Sequence, residues 1–323
     1  MPATAIPLTI KIRTGLACAK CNANATTATS EMIANCTISD RGKLLLCASD
    51  TTQGVHVERY RGRRMRVLLT NDDGIDSPGL QALARVLSTV AEVIVVAPVA
   101  NQSAVARGIT IHGTLEVDER VVEGASAAFA VAGTPVDCVR FAAATESGQS
   151  FDLVVAGANL GLNLGDDVTY SGTVAAAMEG LLLGYPGLAV SQQSVSGELH
   201  HTRDGVYEFA SASRLVPRLA QLLVTGTLSG GVLVNLNCPT GIAKGLRVCR
   251  LGRRIWSDQI ELVDQSGSHR RFRLYGADAD YHREEGTDFA ALAEGYASVT
   301  ALHVDLEHPR GAALLAGLEG LLD

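Results

Sequence analysis

From Met65 onward, short apolar runs alternate with stretches of helical periodicity. Met65-Arg66-Val67-Leu68-Leu69-Thr70, EVIVVA (92–97), FDLVVA (151–156), Gly187–Ser191 and GVLVNLN (231–237) are almost continuously apolar. Runs of that kind belong to parallel strands buried on both faces. Between the first two, Leu80, Leu83, Ala84, Leu87 and Val90 fall on one helical face, and Ser77-Pro78 reads as its cap and first helical position. Helices are predicted over 134–144, 172–183 and 204–224, with Val174, Ala177, Met178 and Leu181 on the apolar face of the second, and a hairpin over 109–131. This repetition predicts an α/β fold, doubly wound around a mostly parallel sheet. After Pro239 the pattern changes. Residues 246–275 alternate and carry many charges, predicting a β-hairpin or flap that leaves the main sheet, and 287–306 predict a short helix and a strand, ALHVDL (301–306). The chain ends in an Ala/Leu/Gly helix.

The first 64 residues stand apart. Up to Ser30 they hold Lys11, Arg13 and Lys20, no acid, and many Ala and Thr, a composition like that of an organellar transit peptide. Met65 also immediately precedes the first convincing strand, so translation starting there is the plainer explanation. On either reading 1–64 is expected to be a weakly structured leader, and 65–323 the working domain. Cys18, Cys21, Cys36 and Cys47 lie in this leader without a second pair at zinc-site spacing. Cys138, Cys238 and Cys249 cannot pair completely, which favours a reducing, cytoplasmic setting over a disulfide framework, with an organelle as the alternative if the leader is a targeting segment.

Composition narrows the partners. Of 323 residues, 47% are hydrophobic and 19% charged, as in ordinary globular domains. A net charge of −7 argues against binding duplex nucleic acid, which needs clustered Lys and Arg. The most apolar window, Val174 to Val190, is broken by Glu179, Gly184 and Pro186, so no membrane span is expected.

The strongest chemical signal is Asn71-Asp72-Asp73-Gly74, where the first apolar strand stops on two adjacent carboxylates. In open α/β sheets ligands bind at that strand edge. Two neighbouring acids repel and raise a pKa unless a cation lies between them. As a bare tetrapeptide Asp-Asp-Gly is a common turn; its place after a buried strand tips it toward a hard divalent metal. Two further loops, 98–104 after EVIVVA and 157–167 after FDLVVA, offer hydroxyls and amides. With the acids they form an all-oxygen donor set that suits Mg²⁺, Mn²⁺ or Ca²⁺ better than zinc. Ser103 taken alone is weak, since serines populate loops, and Asn159 and Asn163 among glycines also suit left-handed backbone. Asp166 and Asp167 read as turn and cap residues.

The second signal is Tyr170-Ser171-Gly172-Thr173-Val174 at the start of a predicted helix. Glycine in the first turn lets an anion reach free N–H groups, and two hydroxyls add donors, which makes a phosphate cradle. A plain N-cap explains the segment equally well on its own; a metal loop just upstream favours phosphate. Metal beside phosphate implies phosphoryl chemistry. The sequence holds no G-x-x-x-x-G-K-[ST] loop, no G-x-G-x-x-G after the first strand and no G-x-S-x-G elbow.

Three blocks, MRVLLTNDDGIDSPGLQALA, NLGDDVTYSGTVAAAMEG and GTDFAALAEGYASVTALHVDL, resemble the survival protein E (SurE) family of nucleotidases over Met65 to Leu306. The resemblance implies a Rossmann-like three-layer sandwich with a mostly parallel sheet and a C-terminal β-hairpin extension. It implies a homodimer or homotetramer that hydrolyses nucleoside monophosphates, with one divalent metal ion, Mg²⁺ or Mn²⁺, per subunit. In that family the metal is held by the positions that are Asp72, Asp73, Ser103 and Asn159 here, and Ser171, Gly172 and Thr173 match the phosphate-binding turn. One loop departs: the family pattern opens Pro-Asp and carries a Ser-Gly pair, where this chain has Pro98-Val99 and Ser103-Ala104. The combined expectation is a metal-dependent phosphomonoesterase of nucleoside 5′- and also 3′-monophosphates, with Asp72 and Asp73 catalytic and Asn163 positioning substrate. A broad-range phosphatase or exopolyphosphatase, and a non-catalytic nucleotide-binding module, are the alternatives.

Overall fold

The computed structural model describes residues 9–12, 32–35, 64–145, 150–200, 205–226, 231–256, 260–274 and 280–318. The chain separates into two compact units, Met1–Arg61 and Gly62–Asp323. In the first, β1 (Thr9–Ile12) and β2 (Met32–Asn35) pair antiparallel; the rest of the predicted leader lies outside the described residues.

In the second unit β3 (Met65–Thr70), β4 (Ala91–Pro98), β6 (Ala127–Val131), β7 (Leu153–Leu160), β8 (Gly187–Gln192) and β9 (Leu233–Cys238) form a parallel core. β5 (Val117–Arg120) extends it antiparallel beside β6, and β15 (Ala297–Leu302) lies antiparallel to β9 with β10 (Leu246–Val248) outside it. The nine strands run β10-β15-β9-β8-β7-β3-β4-β6-β5. β3, β7, β8 and β9 bury nearly every residue, as the apolar runs require. Helices α1 (Pro78–Leu87) and α4 (Ala210–Val224) cover one face; α2 (Pro135–Thr145) and α3 (Gly172–Leu182) cover the other. This is the expected α/β, Rossmann-like three-layer sandwich.

The chain leaves β3 toward β4 and β6, then crosses to β7 on the opposite side of β3. A switch of direction opens a crevice beyond the carboxyl ends of the two strands that flank it. That crevice lies between the Asp72 loop after β3 and the end of β7. The first turn of α1 is pressed onto the same place: a Cβ on Gly79 would stand 2.0 Å from the Ala158 carbonyl oxygen.

Several boundaries differ from the sequence reading. The last strand is Ala297–Leu302 rather than ALHVDL, because its antiparallel partner β9 begins at Leu233, opposite Leu302, and residues beyond have nothing to pair with. Of 109–131 only 117–120 and 127–131 pair. The flap is shorter than 246–275: Leu246–Val248 join the main sheet, β11 (Arg254–Ile255) pairs with β14 (Asp280–Tyr281), and only β12 (Ile260–Ser266) and β13 (His269–Leu274) form the separate hairpin. Ser77 occupies the N-cap of α1, but its hydroxyl caps nothing and is buried without a partner. Helix α5 (Asp288–Ala293) precedes β15, and a short helix α6 (Gly311–Leu315) and a 3₁₀ turn follow it.

Candidate active site

The Asn71–Gly74 turn is closed by its own first residue. Asn71 Nδ2 donates to the Gly74 carbonyl (2.8 Å) and Asn71 Oδ1 accepts the Gly74 N–H (3.2 Å). The neighbouring loop braces it: Gln102 N–H donates to the Asp72 carbonyl (2.6 Å) and Ile75 N–H to that of Pro98 (2.9 Å). Asp72 is buried and accepts the Thr173 hydroxyl at Oδ1. Asp73, half-buried, accepts the Leu160 N–H at Oδ2 (3.0 Å) and Asn101 Nδ2 at Oδ1 (3.4 Å). Loops from β3, β4 and β7 and the start of α3 thus converge on two adjacent acids.

Burial dominates their electrostatics. It pushes the Asp72 carboxyl above its ordinary value, against hydrogen bonds from Thr173 and the backbone of Gly172 and Thr173. Burial, then the Asp72 charge, raises Asp73 to about 7, while the Leu160 N–H pulls the other way. Among the described residues no Lys, Arg or His forms a salt bridge with either acid. No cluster of three His, Cys, Asp or Glu occurs among them either, so further ligands to a cation here have to be neutral oxygens.

Helix α3 ends on Asp72. Ser171 is its N-cap and accepts the Val174 N–H at Oγ (3.0 Å). The Thr173 hydroxyl and the first backbone N–H groups turn toward Asp72. The expected cradle is therefore also the support of an acid, where the positive helix end favours negative charge. Ser103 is exposed on the β4 loop; its N–H donates to Asn101 Oδ1 (2.9 Å), the same amide that reaches Asp73. The loop is tied down by Ala106 N–H to the Tyr170 carbonyl (3.2 Å), and by Arg107 to the buried Glu179 of α3 (3.1 Å), which also binds Arg140 (2.6 Å). Asn159 is buried one residue before Leu160, its Nδ2 on the Gly161 carbonyl (3.0 Å). Asn163 is enclosed: Nδ2 donates to Ser191 Oγ (2.7 Å), its N–H to Asn237 Oδ1 (2.8 Å), and its carbonyl accepts from Asn235 and Asn237.

Two further residues matter here, of which the sequence offered Asn101 only as one of the amides of the 98–104 loop and Asp288 not at all. Asn101 bridges Asp73 to the Ser103 loop. Asp288 accepts Gly165 N–H (2.8 Å) and Gly252 N–H (2.8 Å), fixing the glycine that opens the 3₁₀ turn Gly165–Thr169 before α3. Asp166 and Asp167 lie in that turn as expected, but its N-cap is Leu164, and their carboxylates take Arg254 instead: Arg254 N–H donates to Asp166 Oδ2 (3.1 Å), and its guanidinium grips both Asp167 oxygens.

A doubly wound α/β domain with an acid pair at its switch point, backed by a helix N-terminus, defines the class. The chain belongs to the SurE family: the family described as "Survival protein SurE" matches residues 67–258. It is 45% identical over 252 residues to "5'-nucleotidase SurE" of Rubrobacter xylanophilus, covering 76% of this chain and 94% of that one. With the protein of the same name from Chloroflexus aggregans it shares 43% over 249 residues, 76% and 96% of the two chains. The crystal structure of the SurE protein from Aquifex aeolicus superimposes with a TM-score of 0.66 at 32% identity, covering 79% of this chain and 99% of that one.

Proposed function

We propose that this protein is a metal-dependent phosphomonoesterase that releases phosphate from nucleoside 5′-monophosphates and also accepts 3′-monophosphates. The observation that carries the reading is the burial of Asp72 and Asp73 side by side, with Asp73 raised to about 7 by burial and by its neighbour. The names of the relatives from Rubrobacter and Chloroflexus, 5′-nucleotidase, supply the substrate class. The donor set fits one Mg²⁺ or Mn²⁺ per subunit: two carboxylates without a cationic partner among the described residues, with the neutral oxygens of Ser103 on the β4 loop and of Asn159 at the end of β7. Such an ion would polarise a phosphoryl oxygen and lower the pKa of bound water from about 15.7 toward roughly 7.

The chain's own groups do the positioning. Thr173 and the N-terminal end of α3 hold Asp72 in place and favour its charged form against the effect of burial. The Ser171 hydroxyl keeps its proton to donate to phosphate while its oxygen accepts the Val174 N–H. The enclosed Asn163 fixes the β7–α3 loop and so the place where substrate lies. The protein works as a dimer or tetramer joined through the β12–β13 hairpin, in the cytoplasm, where the buried thiols of Cys138, Cys238 and Cys249 stay reduced. Phosphate release from AMP, measured with Mn²⁺ or Mg²⁺ and then with EDTA, tests the reading together with Asp72→Asn and Asp73→Asn. Activity is expected only with metal and intact acids; an Asp73→Asn protein that matches the parent, or turnover persisting in EDTA, refutes it.

A further inference from the structure

Two large aromatic side chains stand exposed beside the helix end that borders Asp72. Tyr170 directly precedes the capping Ser171, and its ring meets Trp256 edge-on, with centroids 6.2 Å apart and planes at 86°. Tyr170 is 57% exposed and Trp256 42%. Neither is loosely mounted. The Tyr170 N–H donates to the Asp167 carbonyl (3.0 Å), and its own carbonyl accepts the Ala106 N–H. Two residues before Trp256, the buried Arg254 binds the Asp166 and Asp167 side chains and the Leu199 carbonyl (3.0 Å), with its guanidinium 4.8 Å from the centre of the Phe289 ring. Both rings are thus fixed to the 3₁₀ turn that leads into α3. Leaving apolar rings in water on a rigid support marks a contact surface.

We propose that Tyr170 and Trp256 form the seat of the nucleobase, a reading that rests on the nucleotidase function above. The two rings make a corner. A base laid on the face of one ring has its rim against the other, the arrangement aromatic groups favour. Stacking reads the π-face that all bases share rather than a hydrogen-bonding edge, so purine and pyrimidine monophosphates are both accepted and the sugar phosphate alone is the poorer substrate.

Trp256 is the only tryptophan of the chain, so its emission reports on the corner directly. Adenosine, which carries no phosphate, is expected to change that emission saturably, and ribose 5-phosphate to leave it unmoved. Trp256→Ala is expected to lower the ratio of kcat/KM for AMP to that for ribose 5-phosphate about tenfold, and Trp256→Phe to restore most of it. Either a flat adenosine titration of the parent protein or a ratio unchanged in Trp256→Ala overturns the proposal. Should AMP not be hydrolysed at all while ribose 5-phosphate is, the nucleotidase reading fails, and the adenosine titration still decides the platform. The parent titration and the Phe variant hold the test open if the Ala variant does not fold.

Discussion

The α-carbon of Gly172 faces Asp72 so closely that a methyl group on it would stand 2.7 Å from the aspartate Cβ and 2.8 Å from Oδ2. Glycine at the first position of α3 is what allows helix end and acid to meet. Gly172→Ala is therefore expected to push Asp72 out of line and cut kcat on AMP by about 100-fold, the scale of an ångström misplacement. The cost in stability is expected to be about 1–3 kcal/mol, that of overpacking. Phosphate release and thermal unfolding measured together check this; a parental rate would remove the helix end from the site.

Asp73 gives the site a pH dependence of definite sign. Its carboxyl is raised from 3.8 to about 7, so between those values the folded ion-free protein holds a proton that the unfolded chain has released. That contribution to stability is full at low pH and is lost as pH rises toward 7. Asp72, also raised, acts in the same direction. A divalent ion has to displace the proton, so Mn²⁺ affinity is expected to weaken about tenfold per pH unit below 7 and to level off above it. Calorimetric titration across that range checks the slope, and Asp73→Asn should reduce it to the share that Asp72 contributes.

Ala104 adopts φ 63°, and Ala106 φ 51°, in the loop that carries Ser103. The family pattern has glycine after the serine, where left-handed backbone costs nothing; an alanine there costs roughly 1–2 kcal/mol. Part of that is offset by the extra freedom glycine has when unfolded. Ala104→Gly is thus expected to stabilise the protein by about 0.5–1 kcal/mol, seen as a higher midpoint in urea at unchanged slope. Destabilisation by that change would mean the loop takes another path.

The β12–β13 hairpin leaves Ile260, Leu262, Val263 and Phe272 exposed. A two-stranded hairpin alone is marginal in water, so its apolar residues call for a cover, and a second copy of the chain is the one proposed. Replacing 260–274 by a short Gly-Ser linker is expected to convert a dimer or tetramer into monomers in light scattering. A parent protein that is already monomeric would rule this assembly out.

The sheet and the acid pair were legible because their signals are local. A run such as VLL or VVA reads as buried, and Asp-Asp-Gly, a common turn elsewhere, gains its meaning from standing at the end of such a run. Pairing partners are not local. Whether ASVTAL or ALHVDL forms the last strand depends on where β9 begins, some sixty residues earlier in the chain. The Ser77 hydroxyl was read as a cap from its position beside Pro78, yet backbone bonds from Ser77 N–H to Gly74 and from Gln81 N–H to Ser77 already order that turn. The Ser171 segment carried both a capping and a ligand-binding reading; the capping one is borne out by the Val174 N–H on Ser171 Oγ, and Thr173 in addition donates to Asp72. The hydrogen bonds of Asn101 and Asp288 are invisible in sequence, since each joins a residue of ordinary type to a distant backbone or side-chain group.

Asp288 has an implication for how the molecule is made. Every side chain assigned to metal or phosphate lies between residues 72 and 173, and all have left the ribosome long before Asp288 is synthesised. Yet it is Asp288 that seats Gly165 and Gly252 against each other. A nascent chain stalled ahead of that aspartate would carry the full complement of reactive groups on a bend without this anchor, so competence has to wait for residue 288.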